Sequence, residues 1–382
     1  MTLTPARPHA VRRPTSSGAA HGADTPRKTT SLRASLWRVA EALATPLVPA
    51  DYLDLFDPLR EGADLRGRIV AVTPQTRDAV TLTIKPGRSW RGHLPGQYIR
   101  IGVDIDGVRH WRAYSVNSVP EPLGKDTTIA ITVKAITDGL VSNHLVRTAR
   151  PGTLVMLDQA TGDFVLPQRA PEKVLFISAG SGITPIIGML RSRPDLPDVT
   201  HIHCSPTQAD VIFAAELNEY GRTGRTAYLE RHDDVHGMLN LADLDHLVPD
   251  WRERQTWVCG PTGLLDAAED FWSAAGLRGR LTVERFRPTI IEPGEGGSIT
   301  FLTSDTVVDA TGATPILDAG EAAGVLMPSG CRMGICMGCV VTMRQGAVRD
   351  LRTGEITTAE PGDDLPVQTC INAVAGSCDL DL

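Results

Sequence analysis

Nine residues near the end of the chain, Cys331-Arg332-Met333-Gly334-Ile335-Cys336-Met337-Gly338-Cys339, restrict the possible folds most. Three cysteines stand at C-x4-C-x2-C, and a fourth, Cys370, follows at a distance. Four soft thiolates at this spacing suit two irons and two sulfides, which makes Cys331, Cys336, Cys339 and Cys370 candidate ligands of a 2Fe–2S cluster. The small residues between them let backbone N–H groups turn towards sulfur and tune the cluster. A zinc site more often repeats two C-x2-C pairs or adds histidine, and no histidine lies between Ser298 and Leu382.

A chain of 382 residues has room for two or three domains around such a loop. Seven cysteines is an odd number, and four of them fit the cluster, so a reducing, cytoplasmic setting is expected in place of a disulfide framework. No apolar run of about 18 residues suggests a transmembrane helix, and the N-terminus lacks the apolar centre of a signal peptide. The net charge of −7 has one source. Residues 298–382 hold eleven Asp/Glu, four Arg and no Lys, and the rest balances at 34 basic against 34 acidic (38 − 4 and 45 − 11). An acidic C-terminal segment can steer a basic protein partner; nucleic acid is not expected.

Residues 1–30 are rich in Pro, Ser, Thr, Ala, Gly and Arg, with Asp24 as their one acid, and are expected to form a disordered tail. Residues 31–64 read as a helical extension, with Leu32, Leu36, Val39, Ala40 and Leu43 on one face, that clamps the body or touches a membrane. Short alternating segments with Gly/Pro turns follow, among them Ala79–Ile84 and Gln97–Val103, the latter ending at Asp106-Gly107. They predict an antiparallel β-barrel over 65–168. From 172 to 287 strand and helix alternate, which predicts a parallel α/β sheet. Its helices are expected at Pro185–Leu190, Ala209–Glu219 and Gly263–Ala275. Residues 288–297 read as a linker, and 298–382 as the cluster domain.

Three further motifs carry chemistry. In Arg112-Ala113-Tyr114-Ser115-Val116-Asn117-Ser118, the Arg supplies a fork for a diphosphate, the Tyr a flat face for a ring system and Ser115 a small hydroxyl. In Gly139-Leu140-Val141-Ser142-Asn143-His144, a turn enters a helix whose first N–H groups favour an anion. Ala179-Gly180-Ser181-Gly182-Ile183-Thr184-Pro185 joins a buried strand to a helix, where a phosphate can approach backbone. Cys259-Gly260-Pro261 ends a later strand. The strand ending at Cys204-Ser205 has no acid until Asp210, and Arg222 and Arg225 follow. A 2′-phosphate site built by Ser205 and an Arg is therefore expected, with NADPH as donor and NADH as the alternative.

R-x-Y-S-x-x-S resembles the flavin motif of the ferredoxin–NADP reductase superfamily. That resemblance implies that Arg112 binds the FAD diphosphate, Tyr114 packs on the isoalloxazine, Ser115 meets the flavin N5 edge and Ser118 lies at the cofactor. It also implies that Gly139, Val141 and Ser142 hold the diphosphate, favouring FAD over FMN. Gly180, Gly182, Thr184 and Pro185 resemble the superfamily's nicotinamide-nucleotide loop. Cys259-Gly260-Pro261 resembles the segment beside the nicotinamide, with Cys259 positioning it. Phe286 either covers the flavin or simply packs. Pro328–Cys339 and Val367–Cys370 resemble the loop and fourth-ligand segment of plant-type ferredoxins, which implies a β-grasp domain. With Thr45–Leu53, the whole is similar to actinobacterial NADPH-dependent oxidoreductases that feed membrane acyl-CoA (stearoyl-CoA) desaturases.

The implied path runs from NAD(P)H through FAD and the 2Fe–2S cluster to an electron-accepting partner. A membrane desaturase is the first expectation, which would place the protein peripherally at a membrane. A soluble monooxygenase, dioxygenase or P450 is the alternative, and a redox sensor comes last for want of an output domain. The linker would let the cluster domain visit flavin and acceptor in turn, with Met333, Ile335 and Met337 as the loop's outward apolar face.

Overall fold

The computed structural model describes residues 56–60, 62–137, 139–286, 294–334 and 337–382. The expected tail, the extension up to Leu55, linker residues 288–293, and Ile335 and Cys336 lie outside the described residues.

Six strands build the first sheet: β1 (Arg66–Thr76), β2 (Ala79–Pro86), β3 (Tyr98–Ile105), β4 (Val108–Ser115), β5 (Ile129–Lys134) and β6 (Leu154–Leu157). Their order is β4-β3-β6-β1-β2-β5, with antiparallel pairing throughout. A bridge between Val116 and Ile131 brings the two edge strands together and closes a barrel. Asp106 and Gly107, at φ 51 and 82, make the two-residue turn between β3 and β4, whose hand matches strand twist. The alternating residues expected from the sequence, such as Leu82, Ile99, Ile101 and Ile131, fill the barrel. Helix α1 (Leu140–Thr148) plugs one end with Val141 and Leu145.

The second sheet is parallel, β7 (Val174–Ala179), β8 (Val199–Ser205), β9 (Ala227–His232), β10 (Gln255–Cys259) and β11 (Leu281–Glu284), in the order β11-β10-β7-β8-β9. This is a doubly wound arrangement whose order reverses between β7 and β10, so ligands bind in the crevice at that end. Helices α2 (Ile183–Ser192), α3 (Ala214–Arg222) and α4 (Thr262–Ala274) accompany it. Helix α3 begins five residues later than the sequence predicts. Val211 is extended and Phe213 is left-handed at φ 61, so the chain cannot continue as helix there.

The third sheet holds β12 (Gly294–Phe301), β13 (Thr306–Gly312), β14 (Val340–Asp350), β15 (Ile356–Ala359), β16 (Leu365–Gln368) and β17 (Asn372–Leu380). Its order is β13-β12-β17-β14-β15, with β16 on β14. Only the central β12–β17 pair is parallel. Helix α5 (Ile316–Ala322) buries Ile316, Leu317 and Ala319 in the same core as Phe301 and Met343. This is the sheet-and-helix form expected of a β-grasp. One boundary moves: Gly294–Gly297, read as linker, belong to β12, where Gly294 pairs with Gly312 and Gly297 with Ala310.

Candidate electron-transfer site

The β3–β4 register decides where the flavin-motif side chains point. Tyr114 pairs with Ile99 and Arg112 with Ile101, while Ser115 pairs with Tyr98 and Ala113 with Arg100. Directly paired residues share a face, so Arg112 and Tyr114 lie on the side of the barrel core, and Ser115 and Ala113 on the other. Ser115 is buried, and its Oγ has no partner. A buried hydroxyl without a partner is a group that a ring nitrogen of a bound cofactor would satisfy. The Arg112 Nη1 donates to the Trp111 carbonyl at 2.7 Å. Burial, then the Arg332 charge, lower the Arg112 pKa, with Glu321 opposing.

Two serines expected at the flavin are occupied elsewhere. The Ser118 Oγ accepts from Ala130 N at 3.0 Å, pinning the motif to β5. The Ser142 Oγ donates to the Gly139 carbonyl at 3.1 Å and accepts from Ile136 N at 3.3 Å, closing the turn that starts α1. Val141 points into the barrel. What this segment offers an anion is therefore backbone N–H at the α1 start, with no acid in its first turn. A cleft of about 400 Å³ opens beside it, lined by Ile105, Gly139, Leu140, Asn143, His144 and Arg147 among others.

The nucleotide loop is shaped by contact. Gly180 stands at φ +53 with open space where a Cβ would be. At Gly182 a Cβ would overlap the Cys259 carbonyl and the Gly260 nitrogen. The Thr184 Oγ1 donates to the Ser181 carbonyl at 3.0 Å, and Thr184 and Pro185 are buried. Pro261 is the N-cap of α4. Helix α2 then meets the flavin motif: Gly188 lies against the Val116 carbonyl, and the Arg191 Nη1 donates to the Asn117 carbonyl at 2.7 Å. The nucleotide loop and Ser115 are thereby joined through one helix.

At the cluster loop, Cys331, Cys339 and Cys370 are all buried. Arg332, Gly334 and Met337 take left-handed conformations, which curl the loop. Met333 N donates to the Cys331 Sγ at 3.3 Å, and the Cys370 and Cys339 thiols are hydrogen-bonded. Thr369 N and Oγ1 both donate to the Cys339 carbonyl, at 3.1 and 2.9 Å, tying the fourth-ligand segment to the loop. The paired Cys339 and Cys370 thiols and sulfur-directed N–H groups suit a thiolate-held cluster, although no three described side chains stand together as metal ligands without Cys336. Cys378, left over by the spacing, lies on β17 opposite Ile299 and Gly346, in the same domain core that Cys339 and Cys370 join.

Residues 71–166 match the family described as "Oxidoreductase FAD-binding domain", 176–270 "Oxidoreductase NAD-binding domain" and 300–374 "2Fe-2S iron-sulfur cluster binding domain". The "NADPH oxidoreductase" of Mycobacterium tuberculosis (strain ATCC 25618 / H37Rv) is 48% identical over 354 residues, covering 91% of this chain and 92% of its own. The chain belongs to the ferredoxin reductase-type oxidoreductases with a C-terminal 2Fe–2S domain. "NADH oxidoreductase HCR" of Escherichia coli (strain K12) is 30% identical over 77% of this chain and 91% of its own. A solved phthalate dioxygenase reductase shares the fold, with a TM-score of 0.59 at 19% identity, over 84% of this chain and 99% of that one.

As a member of this family, the chain is an NAD(P)H-dependent oxidoreductase carrying FAD, NAD and 2Fe–2S domains. Its fold adds a residue that sequence reasoning passed over. Glu284 pairs with Cys259 across β10–β11, is half-buried and has an enclosed, unpartnered Oε2. Burial pushes the Glu284 carboxyl up to about 8, and burial followed by the Glu284 charge pushes the Cys259 thiol well above its usual range. Both shifts favour the neutral form, and both groups sit beside the nucleotide loop. No local signal marks Glu284, because its neighbour comes from pairing with a strand twenty-odd residues away.

A raised carboxyl pKa favours the folded state below the ordinary value near 4.5, and that advantage is lost as pH rises to about 8. Glu284→Gln should therefore be stabilising by an amount that grows from pH 5 to 8 and then levels. A gain on the order of 5 °C in Tm at pH 8 is expected, read by calorimetry across that range. A constant offset at all pH values would contradict the assignment.

The structure corrects the cation at the strand end and Met333, and places the remaining expected residues. Arg222 pairs with Glu219, and Arg225 bonds the Leu190 carbonyl and stacks on Tyr220, so neither faces the strand end. The cation there is Arg231, whose Nε is buried without a partner. The Ser205 Oγ donates to the Thr207 carbonyl at 2.8 Å and contacts His232 Nδ1 at 3.1 Å. Phe286 is 36% exposed and joins none of the buried clusters. Met333, expected outward, is buried, whereas Met337 is 63% exposed.

Proposed function

We propose that this chain draws electrons from NADPH and delivers them singly to a partner oxygenase. The carrying observation is adjacency: α2 joins the nucleotide loop to the flavin motif, and Cys331 packs against the strands of that motif. Arg112 and the α1 N–H groups would hold the FAD diphosphate, Tyr114 its ring system and Ser115 its N5 edge. Cys331, Cys336, Cys339 and Cys370 would hold the cluster. When bound, these groups turn a two-electron hydride donor into a source of single electrons. The protein's own work is orientation: Gly180–Pro185 and Cys259 present the nicotinamide, and the neutral Glu284 and Cys259 keep its surroundings uncharged.

NADPH is favoured by Arg231 at the strand end. Glu230, the acid that could bond ribose hydroxyls, is engaged by the Tyr228 hydroxyl at 2.9 Å and His232 at 3.0 Å. An oxygenase acceptor is supported by relatives named for such systems. The "Stachydrine N-demethylase reductase subunit Stc4" of Rhizobium meliloti (strain 1021) is 28% identical over 79% of this chain and 92% of its own. Within that class we keep the membrane acyl-CoA desaturase as the particular acceptor, on the strength of the N-terminal extension. No described helix is long and apolar enough to cross a membrane.

Anaerobic titration of the holoprotein with NADPH and with NADH, followed by absorbance and EPR, tests the reading. Flavin bleaching and then a rhombic reduced-cluster signal are expected, with NADPH effective at at least tenfold lower concentration. Absence of the cluster signal would sink the proposal, and equal efficiency would remove the NADPH preference. Deleting residues 1–45 should weaken electron delivery to a membrane desaturase but not to a soluble dye. Electron delivery left intact with both acceptors argues for a soluble partner.

A further inference from the structure

The cluster loop has two differently placed faces. Tyr98, Cys331 and Met333 pack into one buried group, with Ala113 against it. Tyr98 and Ala113 belong to β3 and β4, and Tyr98 is the register partner of Ser115. Side chains paired this way have Cβ atoms about 5 Å apart. The first cluster ligand is thus one side chain, Tyr98, removed from the serine at the flavin edge. Gly162, at φ +117, lies beneath the Tyr98 ring, where a Cβ would come within 3.1 Å of two ring carbons. Thr161 bridges to the Tyr98 backbone and fixes the strand from which the ring projects.

Arg332 explains why Cys331 and Met333 both face the barrel. Its φ of 58 turns the chain, and its guanidinium reaches away to helix α5, pairing with Asp318 at 2.7 Å and with Glu321. The same charges approach His110 and Arg112 on β4, extending the contact along that strand. Met337, four residues beyond Met333, is solvent-exposed.

We infer that electrons enter the cluster through the Tyr98–Met333–Cys331 contact and leave it at the Met337 face, so that entry requires no swing of the cluster domain. Met333 is a positioning residue that seats Cys331 on Tyr98. The inference rests on the electron-transfer reading above. For each NADPH oxidised to NADP⁺, two electrons cross this contact one at a time, two ferricytochrome c molecules are reduced, and one proton passes to solvent.

The test uses the full-length holoprotein with two oxidants. Ferricyanide is small enough to reach the flavin edge, whereas cytochrome c reads electrons that have passed through the cluster. Met333→Glu should cut NADPH-driven cytochrome c reduction at least tenfold and leave the ferricyanide rate within twofold. Cluster absorbance and EPR per chain should be unchanged, Met333→Leu should restore the cytochrome c rate, and amide hydrogen exchange at the start of β3 should accelerate in Met333→Glu but not in Met333→Leu. Ala113→Glu places a charge in the same contact from the barrel side, outside the cluster loop, and should give the same split even if Met333→Glu loses its cluster. Full cytochrome c activity in Ala113→Glu, with exchange at β3 accelerated, would overturn the inference. A parent protein that passes electrons from NADPH to neither oxidant would instead refute the underlying function.

Discussion

Replacing Cys370 by serine should leave hydride uptake in place and abolish electron delivery through the cluster. The reason lies in how the fourth ligand is held. Two hydrogen bonds from Thr369 to the Cys339 carbonyl fix the segment, and Cys370 itself is 4% exposed beside the Cys339 thiol. A serine oxygen is a hard and poorly ionised substitute for thiolate, and the rigid segment cannot bring another donor in. Cluster content below about a tenth of the parent and a cytochrome c rate lowered roughly a hundredfold are expected, on the softness argument. Ferricyanide reduction should stay within about threefold, because the barrel and the parallel sheet have their own cores. Cys378→Ser is the matched control. Cys378 is as deeply buried but lies on β17 between β12 and β14, outside the ligand segments, so the change should cost about 1–3 kcal/mol of stability from an unsatisfied hydroxyl while the cluster remains. Loss of the cluster in both variants, seen by iron analysis and EPR, would reassign the ligand set.

Gly182→Ala should damage nucleotide binding far more than Gly180→Ala. Gly182 has an ordinary helical φ of −62, so its need is spatial: a Cβ would collide with the Cys259–Gly260 backbone. That backbone cannot retreat, because β10 is hydrogen-bonded to β7 on one side and β11 on the other. Overpacking of this kind costs about 1–3 kcal/mol. If the loop relaxes by shifting away from the nicotinamide, this converts to a KM for NADPH raised about 5- to 150-fold. Gly180 has the opposite situation, a left-handed φ of +53 with open space around it. Its alanine variant meets only a conformational penalty of about 1 kcal/mol. Steady-state KM and direct nucleotide titration of both variants decide the order. A larger effect at Gly180 would mean that close approach of the phosphates, and not packing on Cys259, shapes this loop.

What the sequence alone determined is local chemistry. The C-x4-C-x2-C spacing, the flavin motif on a strand after a tight turn, and glycines between a buried strand and a helix are all written within a few consecutive residues. So are the period of two in the barrel and the strand–helix rhythm after it. These rest on backbone conformation and side-chain type, which neighbouring residues control. Tertiary structure decided direction and company. Ser118 and Ser142 have the expected residue type, but their hydroxyls are spent on Ala130 and on the α1 turn. Arg231 stands where Arg222 or Arg225 was expected, because strand β9 carries it to the sheet end while the other two are held by Glu219 and Leu190. Glu284 meets Cys259 only through parallel register. Met333 faces the flavin barrel because a left-handed Arg332 turns the loop onto it. The Ser118, Arg231 and Glu284 placements follow from pairing between distant segments, where a shift of one residue reverses a side chain's face, while Ser142 and Arg222 are held by groups three residues away. The cluster loop's ligands can be read from its spacing, but which of its faces receives electrons is set by the barrel it rests on.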